Sequence, residues 1–163
     1  AVRILPVLGY RVVPVTGRAD EATRLRTLGA NEILDRKHFS EPGKAITKER
    51  WSGVVDSVRR HTLANACAGT RYAGTVAACG LAQGMDFPVT VAPFILRGVT
   101  VTGIDSVSYP EDRRAAVWER LATVLTPEVI GSMAEAIPLN RVIVCAQDLL
   151  AGTVSGRLVV DVS

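Results

Sequence analysis

The chain alternates between short runs rich in Val, Ile and Ala and longer segments whose apolar residues recur at helical spacing. A short apolar run bounded by turn formers suits a buried strand, whereas recurrence at i, i+3 and i+4 suits a helix with one buried side. Residues 11–16 (RVVPVT) read as a strand. Ala22, Leu25 and Leu28 then share one face of a helix, with Asp20 as its N-cap and Gly29 closing it. Further strands are predicted at 31–34, 53–58 (GVVDSV), 74–79 (GTVAAC) and 99–104 (VTVTGI), with a helix around 62–68. The stretch 80–93 reads as a longer loop punctuated by Gly84, Pro88 and Pro93. Pro110 opens an amphipathic helix in which Val117, Leu121 and Val124 align, away from Arg113, Arg114, Glu119 and Arg120. A helix over 140–151 leads through Gly152 and Gly156 to a last strand at about 156–162.

Strands alternating with helices predict an α/β fold: one Rossmann-like domain over 1–163, a doubly wound parallel sheet with helices on both faces. Its start is irregular. Residues 1–8 (AVRILPVL) read as a helix running into Gly9, whereas a doubly wound unit opens on a strand. A first strand and its glycine-rich phosphate-binding turn are therefore expected upstream of Ala1, since no strand-bound G-x-G-x-x-G occurs in the chain. Pro6 falls inside that first helix, where an interior proline would remove a hydrogen bond and kink it.

Composition narrows the class. At 163 residues, 48% hydrophobic and 5% aromatic, the chain can bury a core without covalent staples. Its three cysteines, Cys67, Cys79 and Cys145, are odd in number and widely spaced, and read as small core residues of a protein in a reducing cytoplasm. No run approaches the ~20 apolar residues of a membrane span. A net charge of +3, without basic residues interleaved with aromatics, gives no sign of a nucleic-acid groove. The tight cluster Arg59-Arg60-His61 reads as a solvated turn, because two arginines neutralise little of a long polyanion.

The residues with most chemical content are Thr16, Gly17 and Arg18, at the tip of the first predicted strand. In a dinucleotide fold this tip faces the adenosine ribose. An acid there accepts the 2'-hydroxyl bonds of NAD, and an arginine accommodates the 2'-phosphate of NADP. A hydroxyl, a glycine and a guanidinium fit the phosphate better, although a turn with a solvated arginine would carry the same residues. Arg36, after the next strand, is either a surface arginine or an adenosine-side clamp. Residues 77–84 (AACGLAQG) put Gly80 and Leu81 at a strand's carboxyl end, the edge where such sheets bind ligands; an ordinary turn is the plain alternative. Asp105 and Ser106 follow a later strand at the equivalent edge and also fit a capped turn. His38 and His61 lack partners at zinc-ligand spacing and are assigned to the surface, so no metal is expected.

Leu8-Gly9-Tyr10, Val15-Thr16-Gly17-Arg18, Leu28-Gly29-Ala30, residues 77–81 (AACGL), 93–97 (PFILR) and 103–107 (GIDSV) occur in this order along the chain. Together they resemble the acryloyl-CoA reductase group, including the YhdH and YhfP type quinone oxidoreductases, of the medium-chain dehydrogenase/reductase superfamily. The resemblance implies a zinc-free, NADPH-dependent reduction of an activated carbon–carbon double bond, with an acyl-CoA or quinone-like acceptor. It also implies that Thr16, Gly17 and Arg18 hold the 2'-phosphate, that Arg36 lies along the adenosine, and that Leu81 and Ile95 approach the nicotinamide. It further implies a homodimer built through 99–104, and an amino-terminal catalytic domain lying outside this chain. Arg59-Arg60 stands where the group tends to carry a small glycine-containing turn. Two other readings stand beside this one: a non-catalytic NADP-binding or dimerising module, and a general quinone or enoyl reductase.

Overall fold

A computed structural model describes all residues, 1–163. In chain order its elements are α1 (Ile4–Val7), β1 (Val15–Thr16), α2 (Ala22–Thr27), β2 (Leu34–Asp35), α3 (Lys37–Ser40), β3 (Trp51–Asp56), α4 (Arg60–Ala68), β4 (Thr70–Ala78), α5 (Ala92–Arg97), β5 (Thr100–Gly103), α6 (Glu111–Val124), α7 (Pro127–Met133), β6 (Ala134–Pro138), α8 (Val142–Leu150) and β7 (Arg157–Asp161). Single 3-10 turns precede α2 and α8, at Ala19–Glu21 and Leu139–Arg141. Contacts divide the chain into two compact units, Ala1–Glu111 and Asp112–Ser163.

Every strand pair in the first unit is parallel: β1 with β2, and β3-β4-β5 in that order. These are the neighbour relations of the doubly wound sheet without its opening strand, as the hydrophobic pattern predicts. The core lies between α4 and the three-stranded sheet, where Leu63, Cys67, Val76, Ala78 and Val99 are buried and Val54, Val89, Phe94 and Val101 pack around them. Alternation along β4 puts Gly74, Val76 and Ala78 on this inner face and leaves Thr75 exposed on the other.

Local chemistry explains where the elements differ from their predicted bounds. The strand expected over 11–16 shrinks to two residues because Pro14 has no N–H to offer a ladder, and because the Val12 N–H is taken by the Asn31 side chain at 2.8 Å. Pro6 introduces no kink. The first helix starts only at Ile4, so the missing proline N–H belongs to the first turn, where those groups have no helical partner anyway. Its ring instead packs under Gly29, whose φ of +111° admits no side chain and where a Cβ would stand 2.8 Å from Pro6 Cγ. Asp20 is not the N-cap expected: it lies within a 3-10 turn, and no side-chain bond caps α2.

Arg97 ties the first unit together. Its Nη1 donates to the carbonyls of Ala68 (2.9 Å) and Thr70 (3.2 Å), its Nη2 to that of Thr47 (2.6 Å), and its Nε faces Glu49 at 3.5 Å. One planar guanidinium thus satisfies the end of α4, the start of β4 and the irregular segment before β3.

The cysteines divide by environment. Cys67 and Cys145 are buried as expected, but Cys79, at the end of β4, is exposed. Burial, reinforced by the Asp56 carboxylate, pushes the Cys67 thiol from 9.0 up to about 11. The thiolate is the reactive form, so Cys79 is expected to take a thiol reagent at pH 8 well before Cys67 and Cys145; mass mapping after brief labelling checks the order. Because the folded state holds the Cys67 proton more tightly, that contribution to stability is intact below pH about 9 and is lost as pH rises toward about 11.

In the second unit, β6 and β7 pair in parallel over five residues, Ala134 to Arg157 through Pro138 to Asp161, with α8 as the crossover. Ile137, Cys145 and Val124 are its buried apolar residues. Thr126 caps α7, its hydroxyl accepting the Val129 N–H.

Candidate functional site

The site residues read from the sequence fall into two groups along the carboxyl ends of the strands. The first lies on β1 and β2. Thr16 ends β1: its hydroxyl accepts the Arg18 N–H at 3.1 Å and its carbonyl accepts the Arg36 N–H at 2.9 Å. Parallel pairing of Thr16 with Asp35 therefore delivers Gly17 and Arg36 to the same edge. The contact that results is close. A Cβ on Gly17 would stand 2.8 Å from Arg36 Nη2 and 3.1 Å from its Cζ, so the guanidinium lies against bare backbone, which only glycine allows.

Glu21 organises the second guanidinium. Its Oε1 accepts from Arg18 Nη2 at 2.6 Å and its Oε2 from Arg24 Nη1 at 3.2 Å. The Glu21 side chain is only 11% exposed, so its charge is committed to these two arginines. Sequence reasoning passed over Glu21, although its spacing of three residues from both arginines was a usable signal. Near the tip of β1, Arg18, Arg24 and Arg36 stand with three acids: Glu21, engaged by Arg18 and Arg24; Asp35, paired across from Thr16 and accepting the Lys37 N–H; and Asp20 in the 3-10 turn.

The second group lies at the ends of β3, β4 and β5. Gly80 follows β4 and meets the turn after β3: a Cβ there would stand 2.5 Å from the Ser57 carbonyl oxygen and 2.9 Å from its Cα. Two further bonds seam the turns, Gln83 N–H to the Val58 carbonyl at 2.9 Å and Ala82 N–H to the Ser57 carbonyl at 3.4 Å. Leu81 is thereby held on an exposed rim. Ile95, on α5, is also exposed. The Ile104 N–H bonds the Ala78 carbonyl at 2.9 Å, bringing the segment with Ser106 beside the end of β4. Asp105 forms the expected capped turn, its Oδ1 accepting the N–H groups of Val107 and Ser108. Bonds from Ser108 first, then Val107, hold its carboxyl below the usual range.

The Arg59-Arg60 turn is the solvated turn expected only in part: Arg60 is exposed. Arg59 is half-buried, and the N–H groups of Arg59 and Val58 are both held by the buried Asp56 carboxylate, at 2.9 and 3.3 Å. No cluster of three His, Cys, Asp or Glu side chains could hold a metal ion, and no helix is long and apolar enough to cross a membrane.

A parallel sheet with arginines and close-approach glycines gathered at its carboxyl edge defines a dinucleotide-binding α/β protein. The family model described as zinc-binding dehydrogenase matches residues 1–123, and the chain belongs to that family, within the medium-chain dehydrogenase/reductase group. It is 40% identical over 163 residues to the probable acrylyl-CoA reductase AcuI of Escherichia coli (strain K12), a match covering 100% of this chain and 50% of the relative. It is also 40% identical over 162 residues to the putative quinone oxidoreductase YhfP of Bacillus subtilis (strain 168), covering 98% of this chain and 49% of that protein. Among solved structures, the yhdH oxidoreductase from Salmonella enterica in complex with NADP superposes with a TM-score of 0.95 at 40% identity, over 100% of this chain and 50% of that one. The chain thus spans about half the length of these relatives.

Proposed function

We propose that residues 1–163 form the NADPH-binding part of an oxidoreductase that reduces an activated carbon–carbon double bond, with an acyl-CoA such as acryloyl-CoA or a quinone-like molecule as acceptor. The observation that carries this reading is the arrangement of Thr16, Gly17, Arg18 and Arg36. The residue at the tip of β1 is a glycine rather than an acid, the Arg36 guanidinium lies against it, and that of Arg18, the next residue, is held by Glu21. The Glu21 carboxylate is occupied by Arg18 and Arg24, so it is a poor acceptor for a ribose 2'-hydroxyl, whereas guanidiniums on either side of a bare glycine suit a 2'-phosphate. The NADP in the Salmonella enterica relative supports the same choice.

When bound, the cofactor supplies the hydride. This chain's residues bind and orient it: Thr16 through Arg18 with Arg36 at the adenosine end, and Gly80, Leu81, Ile95 and Ser106 at the nicotinamide end. By resemblance to the acryloyl-CoA reductase group the reaction is zinc-independent, and the odd, widely spaced cysteines suit a cytoplasmic protein. In the same reading β5, the edge strand of its sheet, joins two subunits through 99–104, and the catalytic domain lies outside 1–163.

Replacing Arg18 with alanine in the full-length protein is expected to weaken NADPH binding by roughly 1.5–3 kcal/mol, the worth of a hydrogen bond to a charged group, and to change NADH binding little. Fluorescence titration with both nucleotides measures this, and equal losses would remove the 2'-phosphate role. A second reading, a general quinone reductase that uses NADH, is favoured by the Bacillus subtilis protein yhfP, which was solved with NAD bound. Turnover of simple quinones in strong preference to acryloyl-CoA would decide for it.

A further inference from the structure

We infer that Arg59 and Arg60 form an anion-binding turn that takes a phosphate group of a nucleotide-bearing ligand, an inference that rests on the oxidoreductase reading above. The two residues leave the carboxyl end of β3, on the sheet edge that carries Gly80 and Ser106. Neither has an easy backbone conformation. Arg59 has φ 70° and ψ −158°, a region that glycine alone enters freely, and Arg60 has φ 53°. Folding would be served better by glycine at Arg59. Backbone bonds to Asp56 and Asp86 hold the turn, and they would hold glycine equally well, so the arginine side chains add a cost that these bonds do not explain.

Those side chains are also unspent. The buried Asp56 carboxylate beneath the turn accepts the backbone N–H groups of Val58 and Arg59, and no acid forms an ion pair with either guanidinium. Arg59 Nε is buried without a hydrogen-bond partner. Arg60 is exposed; its N–H is fixed on the Asp86 carbonyl at 3.1 Å, and its stem runs beside the loop after β4, where a Cβ on Gly84 would stand 3.7 Å from Arg60 Cδ. Two adjacent, unpaired, planar cations on a tethered backbone suit a phosphate, which accepts parallel bonds from such donors. Phosphate reaches this edge from two sources in the proposed reaction, the dinucleotide and the coenzyme A moiety of an acyl-CoA.

The test compares full-length wild type with Arg59→Gly and Arg60→Ala in NADPH oxidation with acryloyl-CoA and with a simple quinone, and by direct titration with NADPH and with free coenzyme A. Arg59→Gly relieves the backbone and is expected to raise Tm by roughly 2–4 °C while weakening the phosphate ligand about tenfold. A purely structural residue would not move stability and affinity in opposite directions. A loss confined to acryloyl-CoA and coenzyme A assigns the phosphate to the substrate; a loss in NADPH affinity with both acceptors assigns it to the cofactor. Either loss should shrink as salt rises. Unchanged affinity for both ligands in both variants would overturn the inference. Wild type that oxidises NADPH with neither acceptor would fail the oxidoreductase reading instead, and the two titrations would still report on the arginines.

Discussion

Replacing Arg97 with alanine is expected to cost roughly 1.5–3 kcal/mol of stability, the range for losing hydrogen bonds made by a charged group. The guanidinium is 13% exposed and donates to three carbonyls belonging to separate segments. Truncation removes those bonds; the Ala68 carbonyl keeps the Thr47 N–H at 2.9 Å, whereas the carbonyls of Thr70 and Thr47 lose the guanidinium, a larger penalty than the bonds' net worth. Glu49, 45% exposed, adds little, because its charge returns to water. Since a protein of this kind has about 5–15 kcal/mol in hand, a sizeable share of its stability is at stake. Arg97→Lys should recover only part of the loss, because an ammonium cannot span acceptors set for a planar fork. Urea unfolding of the three proteins checks the order; an alanine variant within about 1 kcal/mol of wild type would show that water satisfies these carbonyls equally well.

The second large effect is expected at Gly80, where alanine would place a Cβ 2.5 Å from the Ser57 carbonyl oxygen and 3.0 Å from its carbonyl carbon. Backbone, unlike the end of a flexible side chain, cannot step aside alone. The turn after β4 must lift from the turn after β3, opening the Gln83–Val58 and Ala82–Ser57 bonds. The overpacking cost is about 2–3 kcal/mol. The functional cost is of similar size: Leu81 is carried by the displaced turn, and a misplacement near 1 Å in a cofactor-orienting segment can lower kcat/KM by roughly 10²-fold, about 2.7 kcal/mol. Gly131→Ala is the matched control, since a Cβ there meets nothing within 4 Å. Equal activity of the two variants in the full-length protein would separate Gly80 from the nicotinamide end.

Both residues show how far the sequence could be read. PFILR and AACGL were legible as motifs and carried the family resemblance, yet neither announced its physical role. Nothing in the string indicates that Arg97 reaches Thr47, fifty positions away, or that the glycine of AACGL is pressed against Ser57 rather than simply turning the chain. The short elements were missed for a related reason. Six residues of α5 and seven of α7 are too few to display a helical period, and β6 follows α7 without a turn signal. The final strand, by contrast, was found to within a residue, because five residues bounded by Gly156 carry their own pattern.

The class of fold followed from the chain alone, because strand and helix periods are local properties of a few consecutive side chains, and so did the presence of a hydroxyl, a glycine and a guanidinium at the end of the first strand. Tertiary structure decided the rest. Parallel pairing brought Arg36 onto Gly17, three-residue spacing on a 3-10 turn committed Glu21 to Arg18, and the Asp56 carboxylate fixed Arg59 in a backbone conformation suited to glycine. Each of these depends on a distance between residues set by the packing of the sheet, and no property of either residue alone specifies it.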